Sequence, residues 1–389
     1  MSKTSTTDEL KGSRTLDFRT MADDAKRRQK SAFDMRARRT PGSGRIRRQE
    51  LPVFSRALGA MLQAGLPVVQ CLRSLEEQSE SKTFRHVIGQ ISKAVEYGNK
   101  LSSAMSLFPD IFDTMYTSML KTGEISGQLA ETMESLATHL EESADLRRQV
   151  QSALMYPVAV AAIAMLLATL IMLFIVPAFD KIYQDLGGDL PTATKLLIAA
   201  SNVLRHHFLW VVVSVISVVV IIGRLKRTRR GKYVWDRCTL SIPVFGPLMQ
   251  KVALARFTES FSQMLNHGIP ILRALALSGE VMGNEVMKKA LVEAGTAVEH
   301  GETLSSKLRK SKWYPPLLIN MLATGEKTGK VDELLERVAT FYRNEVSVVL
   351  KGMTSLIEPM LIVFLGVVIG GMVVCMFIPI FKLHELVKF

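Results

Sequence analysis

The segment from Gly325 to Val331 reads GEKTGKV and has the residue types of a phosphate-binding loop. Such a loop needs four residues between its glycines, then a lysine for the phosphates and a hydroxyl residue for the metal ion. Here three residues separate the glycines, and Val331 follows the lysine. The residues before the segment also predict a helix, where the loop would follow a strand. The spacing therefore argues against nucleotide binding at this place.

A related segment, from Gly123 to Gln128, reads GEISGQ and lacks the lysine. In both segments we predict a tight corner, in which the first glycine ends one helix and the second opens the next. The glutamate of each corner is expected to be exposed. It either caps the following helix, because a helix N-terminus favours negative charge, or serves as a docking point for another protein. The candidate docking residues are Gly123, Glu124, Gly127, Gly325, Glu326 and Gly329.

Other residues capable of chemistry are scattered along the chain. The histidines at His86, His139, His267 and His300 are predicted to be isolated, without a carboxylate or nucleophile beside them. The cysteines Cys71, Cys238 and Cys375 lie in separate segments, which suits neither a disulfide framework nor a metal-ligand cluster. Acidic residues are interpreted as solvated helix faces. We therefore predict a protein that is not an enzyme and that uses no metal or cofactor.

The two corners belong to a longer internal repeat. Residues 54–183 can be laid over residues 257–386, and one residue drops out of the second copy between the pairs Ser102/Ser305 and Thr122/Thr324. The repeat also aligns glycines and prolines that are typical of turns between helices, with glycine in the left-handed position and proline at the first helical residue. These predicted structural turns are Gly65, Pro67, Gly98, Gly268, Pro270 and Gly301. A repeat of about two hundred residues indicates a duplicated domain, because solenoid repeats are far shorter.

Helical periodicity dominates both copies. Phe54, Leu58 and Leu62 fall at i, i+4 and i+8, on one face of an amphipathic helix. Further helical segments follow between the glycines, and β-branched runs occur in the long apolar segments. The predicted fold class is all-α, with duplicated cytoplasmic helical-bundle domains of about six helices each and three transmembrane helices. The last helix of each bundle is predicted to run straight into a membrane span.

Three apolar runs without charge are the candidate spans. They lie between Arg148 and Asp180, between Arg205 and Arg224, and between Glu358 and Lys382. A helix needs about 20 apolar residues to cross a bilayer. The middle run is shorter, so a buried core helix is its alternative interpretation. Basic residues lie before the first run and after the second, which places the N-terminus in the cytoplasm.

The predicted order is a flexible basic arm (1–47), a first cytoplasmic helical domain (48–150), a transmembrane helix (151–178), a short periplasmic loop (179–205), a transmembrane helix (206–224), a second cytoplasmic helical domain (225–352), a transmembrane helix (356–381) and a periplasmic tail (382–389). Residues 192–204 of the loop are predicted to form an amphipathic helix on the membrane surface.

The formal net charge of +13 comes mainly from the arm and from the residues after the middle run. On a cytoplasmic membrane face, such charge meets anionic lipid or an acidic protein more often than nucleic acid.

The predicted spans contain little polar chemistry. None has Asp, Glu, Lys or Arg in its middle, which argues against a transporter or channel, because these usually carry an ionisable residue within the membrane. A duplicated transporter is the alternative function, and an autonomous membrane enzyme is the third. In the last run, Gly366, Gly370 and Gly371 form a face of small residues suited to close helix packing.

The residues from Phe54 to Gln78, FSRALGAMLQAGLPVVQCLRSLEEQ, resemble the opening of the GspF/PilC family, the type II secretion system F domain. The corners and the order of domain, span, span, domain and span are similar to that family too. The resemblance covers about residue 48 to the C-terminus. The arm departs from the family, because many members begin with a small folded segment that this arm does not show.

The resemblance implies a platform protein of the bacterial inner membrane, without enzymatic activity. A cytoplasmic hexameric ATPase would act on its bundles, and the platform would pass that motion to pilin or pseudopilin subunits as they enter a filament. The resemblance also implies other inner-membrane assembly proteins as partners, and a homo-oligomer. The corner residues and the basic arm are then candidate ATPase contacts, and the last span is a candidate contact for a pilin helix or a second copy. Type II secretion, type IV pilus and competence systems share this platform.

Overall fold

The computed structural model describes residues 43–185, 192–226, 228–243 and 245–386. The chain divides into two compact units, residues 1–138 and 139–389. Across the described ranges all regular structure is helical and no strand occurs, so the all-α prediction is confirmed. Residues 1–42, which include most of the predicted flexible arm, lie outside the described residues.

A first series of six helices follows a short lead-in of helical turns at Ser43–Arg45 and π-helix at Ile46–Glu50. The series consists of α1 (Leu51–Gln63), α2 (Val68–Gln78), α3 (Lys82–Glu96), α4 (Leu101–Met105), α5 (Thr114–Ser126) and α6 (Leu129–Leu170). Helical structure thus begins before residue 48, the predicted start of the domain. Helix α6 crosses the division between the two units at residue 138 and passes through Pro157 without a break.

The core of the first unit is built on aromatic rings. The ring of Phe54 lies edge-on to Phe84 and Phe112, with centroids 5.3 Å and 6.4 Å apart. The hydroxyl groups of Ser55 and Tyr116 share a buried hydrogen bond of 2.9 Å. Because fully burying one large apolar side chain contributes roughly 1.5–3 kcal/mol, these rings account for much of the stability of the bundle.

A second series of six helices occupies the end of the chain. Between the series lie a π-helical segment (Ile171–Ile175), α7 (Val176–Asp185), α8 (Thr192–His206), α9 (Phe208–Leu225) and α10 (Arg229–Ser241). The second series consists of α11 (Phe245–Asn266), α12 (Ile271–Met282), α13 (Glu285–Glu299), α14 (Leu304–Leu308), α15 (Pro316–Thr328) and α16 (Val331–Leu386). Its helices follow the same order of long and short elements as the first series.

The core of the second bundle also centres on aromatic rings. Phe257 stacks on Phe261 with centroids 5.4 Å apart and meets the edge of Tyr314 at 6.3 Å. The Tyr314 hydroxyl donates a hydrogen bond of 2.9 Å to the Met287 carbonyl. Burial raises the pKa of Tyr314, so this hydroxyl stays protonated and remains a donor.

Two helical stretches of the described chain are long and apolar enough to cross a membrane, Leu129–Ile182 and Val331–Ile378. Their most apolar windows have a mean hydropathy of 2.9 and are almost entirely exposed within the chain. Helix α9, on the middle predicted run, has a shorter apolar part. Helices α10 and α11 are apolar enough when taken together, but Phe257 and Phe261 are fully buried, so packing of the bundle accounts for that apolar character.

Helix α8 packs against the long helices of its own unit. The Thr194 hydroxyl donates a hydrogen bond of 2.6 Å to the Cys375 carbonyl of α16, and the Ser201 hydroxyl donates to the Met172 carbonyl of the π-helical segment. Both hydroxyl side chains are buried. The amphipathic helix predicted over residues 192–204 is thus present as α8, and its place on the membrane surface stays a prediction.

Candidate functional site

The corner of the first unit joins α5 to α6. Asp113 starts α5 by accepting the Tyr116 N–H at 2.8 Å, and Gly127 ends it with φ of 76°, a left-handed conformation that glycine adopts readily. Helix α6 begins two residues later, at Leu129. Gly123 lies inside α5, so the prediction that it ends a helix is wrong. The second glycine of the corner ends the helix.

The corner of the second unit has the same construction. Gly329 ends α15 with φ of 73°, while Gly325 lies inside that helix. Helix α16 begins at Val331. The prediction for Gly325 is therefore wrong in the same way, because only the residue just past the last helical turn needs a positive φ.

The first glycine of each corner allows two consecutive helices to approach closely. A Cβ atom added at Gly123 would lie 2.8 Å from the Cβ of Thr132 in α6, and one added at Gly325 would lie 2.8 Å from the Cα of Val331 in α16. Carbon atoms normally pack at about 3.5–4.0 Å. Each helix hairpin therefore closes around a position where only glycine can be accommodated without movement.

Both corner glutamates are half-buried and bind an earlier helix. Glu124 accepts a hydrogen bond from the Ser102 N–H at 3.3 Å and another from the Ser102 hydroxyl. Glu326 accepts from the Leu304 N–H at 2.5 Å and from the N–H and hydroxyl of Ser305 at 3.3 Å and 2.5 Å. The predictions that these carboxylates are exposed and cap the following helix are corrected. They cap α4 and α14, which precede them by 22 residues in the chain.

A physical reason for this long-range cap lies at the start of the short helices. The residues that precede α4 and α14, Lys100 and Thr303, make no side-chain capping bond. A helix N-terminus leaves its first N–H groups without partners inside the helix. The glutamate of the corner supplies the acceptor and the negative charge that this end favours. It thereby ties each five-residue helix to the following long hairpin.

The exposed part of each corner is the stretch beside the glutamate. In the first unit it consists of residues 125–128, with Ile125 68% exposed. In the second unit it consists of residues 327–330, which include Lys327 and Lys330. We call these stretches the corner surfaces. Sequence reasoning placed the docking points on the glycines and glutamates, whereas the side chains that face solvent are these neighbours.

The other predicted turn glycines end helices as well. Gly65, Gly98, Gly268 and Gly301 all have positive φ, between 72° and 85°. Pro67 and Pro270 were predicted to be the first helical residues, but they are the N-cap residues, one position before α2 and α12 begin.

The glycine face of α16 has no neighbour within the described chain. A Cβ atom added at Gly366, Gly370 or Gly371 would meet no described atom within 4 Å. The face is thus exposed in the single chain, and its role in packing stays a prediction.

A buried pair in the second unit was not foreseen from the sequence. His139 Nδ1 lies 2.8 Å from Glu259 Oε1, and the two side chains are only 10% and 6% exposed. The predictions that His139 is isolated and that the acidic residues are solvated are wrong here. The two residues lie 120 positions apart, so only the packing of α6 on α11 reveals the pair.

Further charged residues surround this contact. Arg343 of α16 forms an ion pair with Glu142 of α6. Burial, and then the like charge of Arg147, lower the pKa of Arg256 on α11. The His139–Glu259 pair is therefore buried, whereas the neighbouring Arg343–Glu142 pair keeps about 30% of its side chains exposed. Among the described residues, no group of three or more His, Cys, Asp and Glu gathers as a metal site would require.

Replacing either close-packed glycine should destabilise its unit. We expect Gly123→Ala and Gly325→Ala to lower the free energy of unfolding by about 1–3 kcal/mol each, the usual cost of overpacking. Gly352→Ala in α16 is the matched control, because a Cβ there meets nothing within 4 Å and alanine favours a helix by about 1 kcal/mol. Thermal unfolding of the purified protein in detergent measures the effect. Equal melting temperatures for all three variants would contradict the packing argument.

The long-range cap gives a second prediction. Glu326→Ala should cost about 0.5–2 kcal/mol, the range for losing a helix cap, and Glu326→Gln should cost less, because the amide oxygen still accepts. Glu293→Ala, at a 62% exposed position of α13, is the control. The same melting experiment distinguishes them, and an unaffected Glu326→Ala variant would show that the cap adds nothing to stability.

The buried pair gives a third prediction. His139→Ala and Glu259→Ala should each destabilise the protein by roughly 1.5–3 kcal/mol, as expected for a hydrogen bond to a charged group. The double variant should cost less than the sum, with an interaction energy of about 0.5–3 kcal/mol. His86→Ala serves as the control, because His86 is exposed and bonds to Gln90. Strictly additive losses would show that the two side chains act independently.

Comparison with known proteins gives two matches to one family, and each match covers one series of helices. The model of the family described as "Type II secretion system (T2SS), protein F" matches the chain twice, over residues 54–177 and 257–379. Each match begins in the first helix of a series and extends into its long apolar helix.

Several characterised proteins are similar over most of the chain. The Type IV pilus assembly protein PilC of Thermus thermophilus is 37% identical, covering 86% of this chain and 82% of its own length. The protein of the same name from Myxococcus xanthus is 35% identical, covering 88% and 82%. The Type II secretion system protein F of Pseudomonas aeruginosa is 28% identical, covering 87% and 84%. With two matches that together cover more than half of its residues, this chain belongs to the type II secretion system protein F family.

Proposed function

We propose that this chain is an inner-membrane platform protein that takes part in assembling pilin or pseudopilin filaments, in type IV pilus biogenesis or type II secretion. The family membership and the names of the relatives support this role. Within it the protein is a scaffold and not an enzyme, and the chemical energy comes from a separate cytoplasmic hexameric ATPase.

The observation that carries the proposal is the continuity of the last helix in each series. Helix α6 runs from Leu129 to Leu170, and α16 runs from Val331 to Leu386 without interruption. Each begins beside a corner surface and continues into an exposed apolar stretch. In this proposal the chain is a duplicated domain, and each copy consists of a bundle with its own span.

The proposed topology has three spans. The apolar parts of α6 and α16 are the first and third, and α9 is the second. Arg224 lies in the last turn of α9 and Lys226 follows the helix at once, and basic residues collect on the cytoplasmic side of a bilayer. This puts the N-terminus and both bundles in the cytoplasm, with the C-terminal tail in the periplasm.

The proposed contacts divide between water and lipid. The corner surfaces meet the ATPase, and the basic arm of residues 1–47 adds to this contact. The candidate residues that shape the corners are Gly123, Glu124, Gly127, Gly325, Glu326 and Gly329. In the membrane, the exposed glycine face of α16 at Gly366, Gly370 and Gly371 takes a pilin helix or a second copy of the chain, because small residues let helices approach closely. Other inner-membrane assembly proteins bind the same platform.

Recovery of partners from membranes tests the proposal. Detergent-solubilised protein should retain both the ATPase and a major pilin-like protein of the same cell. The triple variant Ile125→Asp, Lys327→Glu and Lys330→Glu should lose most of the ATPase and keep the pilin-like protein, because only the corner surfaces are changed.

A matched control uses exposed residues away from the corners. Tyr97→Asp and Lys310→Glu change an exposed aromatic residue and an exposed lysine, and should leave both partners bound. If the folded wild-type protein recovers neither partner, the platform role is wrong. If the corner variant binds the ATPase as the control does, the role stands and the proposed contact is wrong.

A further inference from the structure

The first unit contains a cavity of about 700 Å³ that is open to the surface. It lies between α1, the end of α2 and the start of α3. Its lining is mainly apolar and includes Val53, Phe54, Leu75, Phe84 and Ile88. Val53 is 68% exposed there. Covering Val53 and the apolar lining with another segment of chain would remove apolar surface from water, which is favourable.

The second unit shows what covers the corresponding place. In the repeat, α1 corresponds to α11 and α3 corresponds to α13. Helix α10 packs on both α11 and α13, and its Leu240 is only 8% exposed. The Asp236 carboxylate accepts the Glu285 N–H at 2.8 Å, which holds α10 against the start of α13. Lys232 adds an ion pair of 3.0 Å to the Glu285 side chain.

The helix starts in the two units correspond closely. Helix α13 begins after the N-cap residue Asn284, and α3 begins after the N-cap residue Ser81. Ser81 and the neighbouring Glu80 and Thr83 line the cavity. The cavity of the first unit therefore lies at the position that α10 covers in the second.

The basic arm contains a sequence similar to α10. Residues 27–44 read RRQKSAFDMRARRTPGSG, and residues 229–246 read RRGKYVWDRCTLSIPVFG. Six of these 18 positions are identical, and a seventh pairs two aromatic residues. The matched pairs are Arg27 with Arg229, Arg28 with Arg230, Lys30 with Lys232, Phe33 with Trp235, Asp34 with Asp236, Pro41 with Pro243 and Gly44 with Gly246.

We propose that residues 27–38 of the arm occupy the cavity of the first unit, as α10 covers α11 and α13 in the second. Asp34 then accepts the Lys82 N–H at the start of α3, in the role of Asp236 at Glu285. Phe33 takes the place of Trp235 at the edge of the docked segment. The segment therefore completes the first bundle from within the same chain, and this assignment does not depend on the partners of the proposed function.

The connection between the arm and the cavity fits this assignment. The described chain begins at Ser43, and Ile46 already lines the cavity. In the second unit, Gly246 lets α10 and α11 meet, because a Cβ there would lie 2.9 Å from the Leu240 carbonyl carbon. Gly44 stands at the matching place in the arm, which aligns at an offset of 202 residues where Phe54 and Phe257 align at 203. A Cβ at Gly44 would meet no described atom within 4 Å, so the close contact made by Gly246 is not repeated among the described residues. The glutamates Glu50 and Glu80 also line the cavity, and their charge complements the basic arm.

Two differences from the second unit define the limits of the match. Lys82 stands where Glu285 pairs with Lys232, so the ion pair between side chains has no counterpart. Arg38 stands where Leu240 is buried. The docked segment in the first unit therefore relies on Phe33, Asp34 and the acidic lining.

Cross-linking tests the proposal in the full-length protein. In a background with Cys238→Ser, the pair Asp34→Cys and Lys82→Cys should be joined by a short bismaleimide. The pair Asp236→Cys and Glu285→Cys is the matched reference. It replaces the equivalent aspartate and the equivalent helix-start residue in the second unit, where the two helices are in contact. Mixing isotopically light and heavy chains separates links within one chain from links between copies.

The expected result is a link within one chain, in a yield comparable to the reference pair. The pair Arg14→Cys and Lys82→Cys is the control for an arm that moves freely, because Arg14 lies outside the repeated sequence. A yield for residues 34 and 82 no greater than for this control, or links formed only between copies, would overturn the proposal.

Hydrogen exchange gives a second measurement that needs no cross-link. Deleting residues 1–40 should speed amide exchange at the junction of α2 and α3, residues 78–84, by roughly 5- to 30-fold, as expected from losing 1–2 kcal/mol of local stability. The junction of α12 and α13, residues 281–287, is the internal control and should not change. Unchanged exchange at both junctions would show that the arm does not occupy the cavity.

Discussion

A chain that enters lipid must satisfy its backbone hydrogen bonds without water, and a continuous helix does this within one segment. In the proposed topology this constraint accounts for the length of α6 and α16, which exceed every other helix of their series. Each begins at a corner, supplies apolar residues to the bundle, and then exposes a different set of apolar residues along its later turns. Because the same helix continues from the bundle into the apolar stretch, the other helices of each bundle have to pack around it.

The corners meet that requirement by local means. The left-handed glycine, Gly127 or Gly329, ends α5 or α15. The other glycine, Gly123 or Gly325, lies inside that helix and lets it pack closely on the long helix that follows. The glutamate between them caps a five-residue helix that has no cap of its own. Helix formation in so short a segment is unfavourable without tertiary support. A Gly-Glu pair and the glycine three residues after the glutamate thus hold three helices together at each corner. These are α4, α5 and α6 at the first corner, and α14, α15 and α16 at the second.

Much of this architecture could be predicted from the sequence. Periodicity predicted the helices, and aligned residues such as Phe54 and Phe257 predicted two comparable series, because both signals can be read directly from the order of residues. One of the two interpretations of the corner glutamates was a cap of the following helix, but they cap a preceding one, since nothing in a local pattern identifies a partner 22 residues earlier. His139 and Glu259 were missed for the same reason. Their residue types are ordinary on helix surfaces, and only tertiary packing makes them a buried pair. The amphipathic pattern of residues 192–204 predicted α8, but it could not show that Thr194 and Ser201 donate hydrogen bonds to protein carbonyls.

The π-helical segment Ile171–Ile175 interrupts the first long helix, whereas α16 continues as α-helix through the corresponding region. A π-helical turn accommodates one additional residue, and one residue corresponds to about 100° of rotation in an α-helix. Side chains beyond this point therefore change phase relative to their counterparts in α16. The two series share one order of helices, yet the far ends of their long helices present different faces. In the proposed platform, an incoming helix would therefore meet two unlike surfaces and not two equivalent ones.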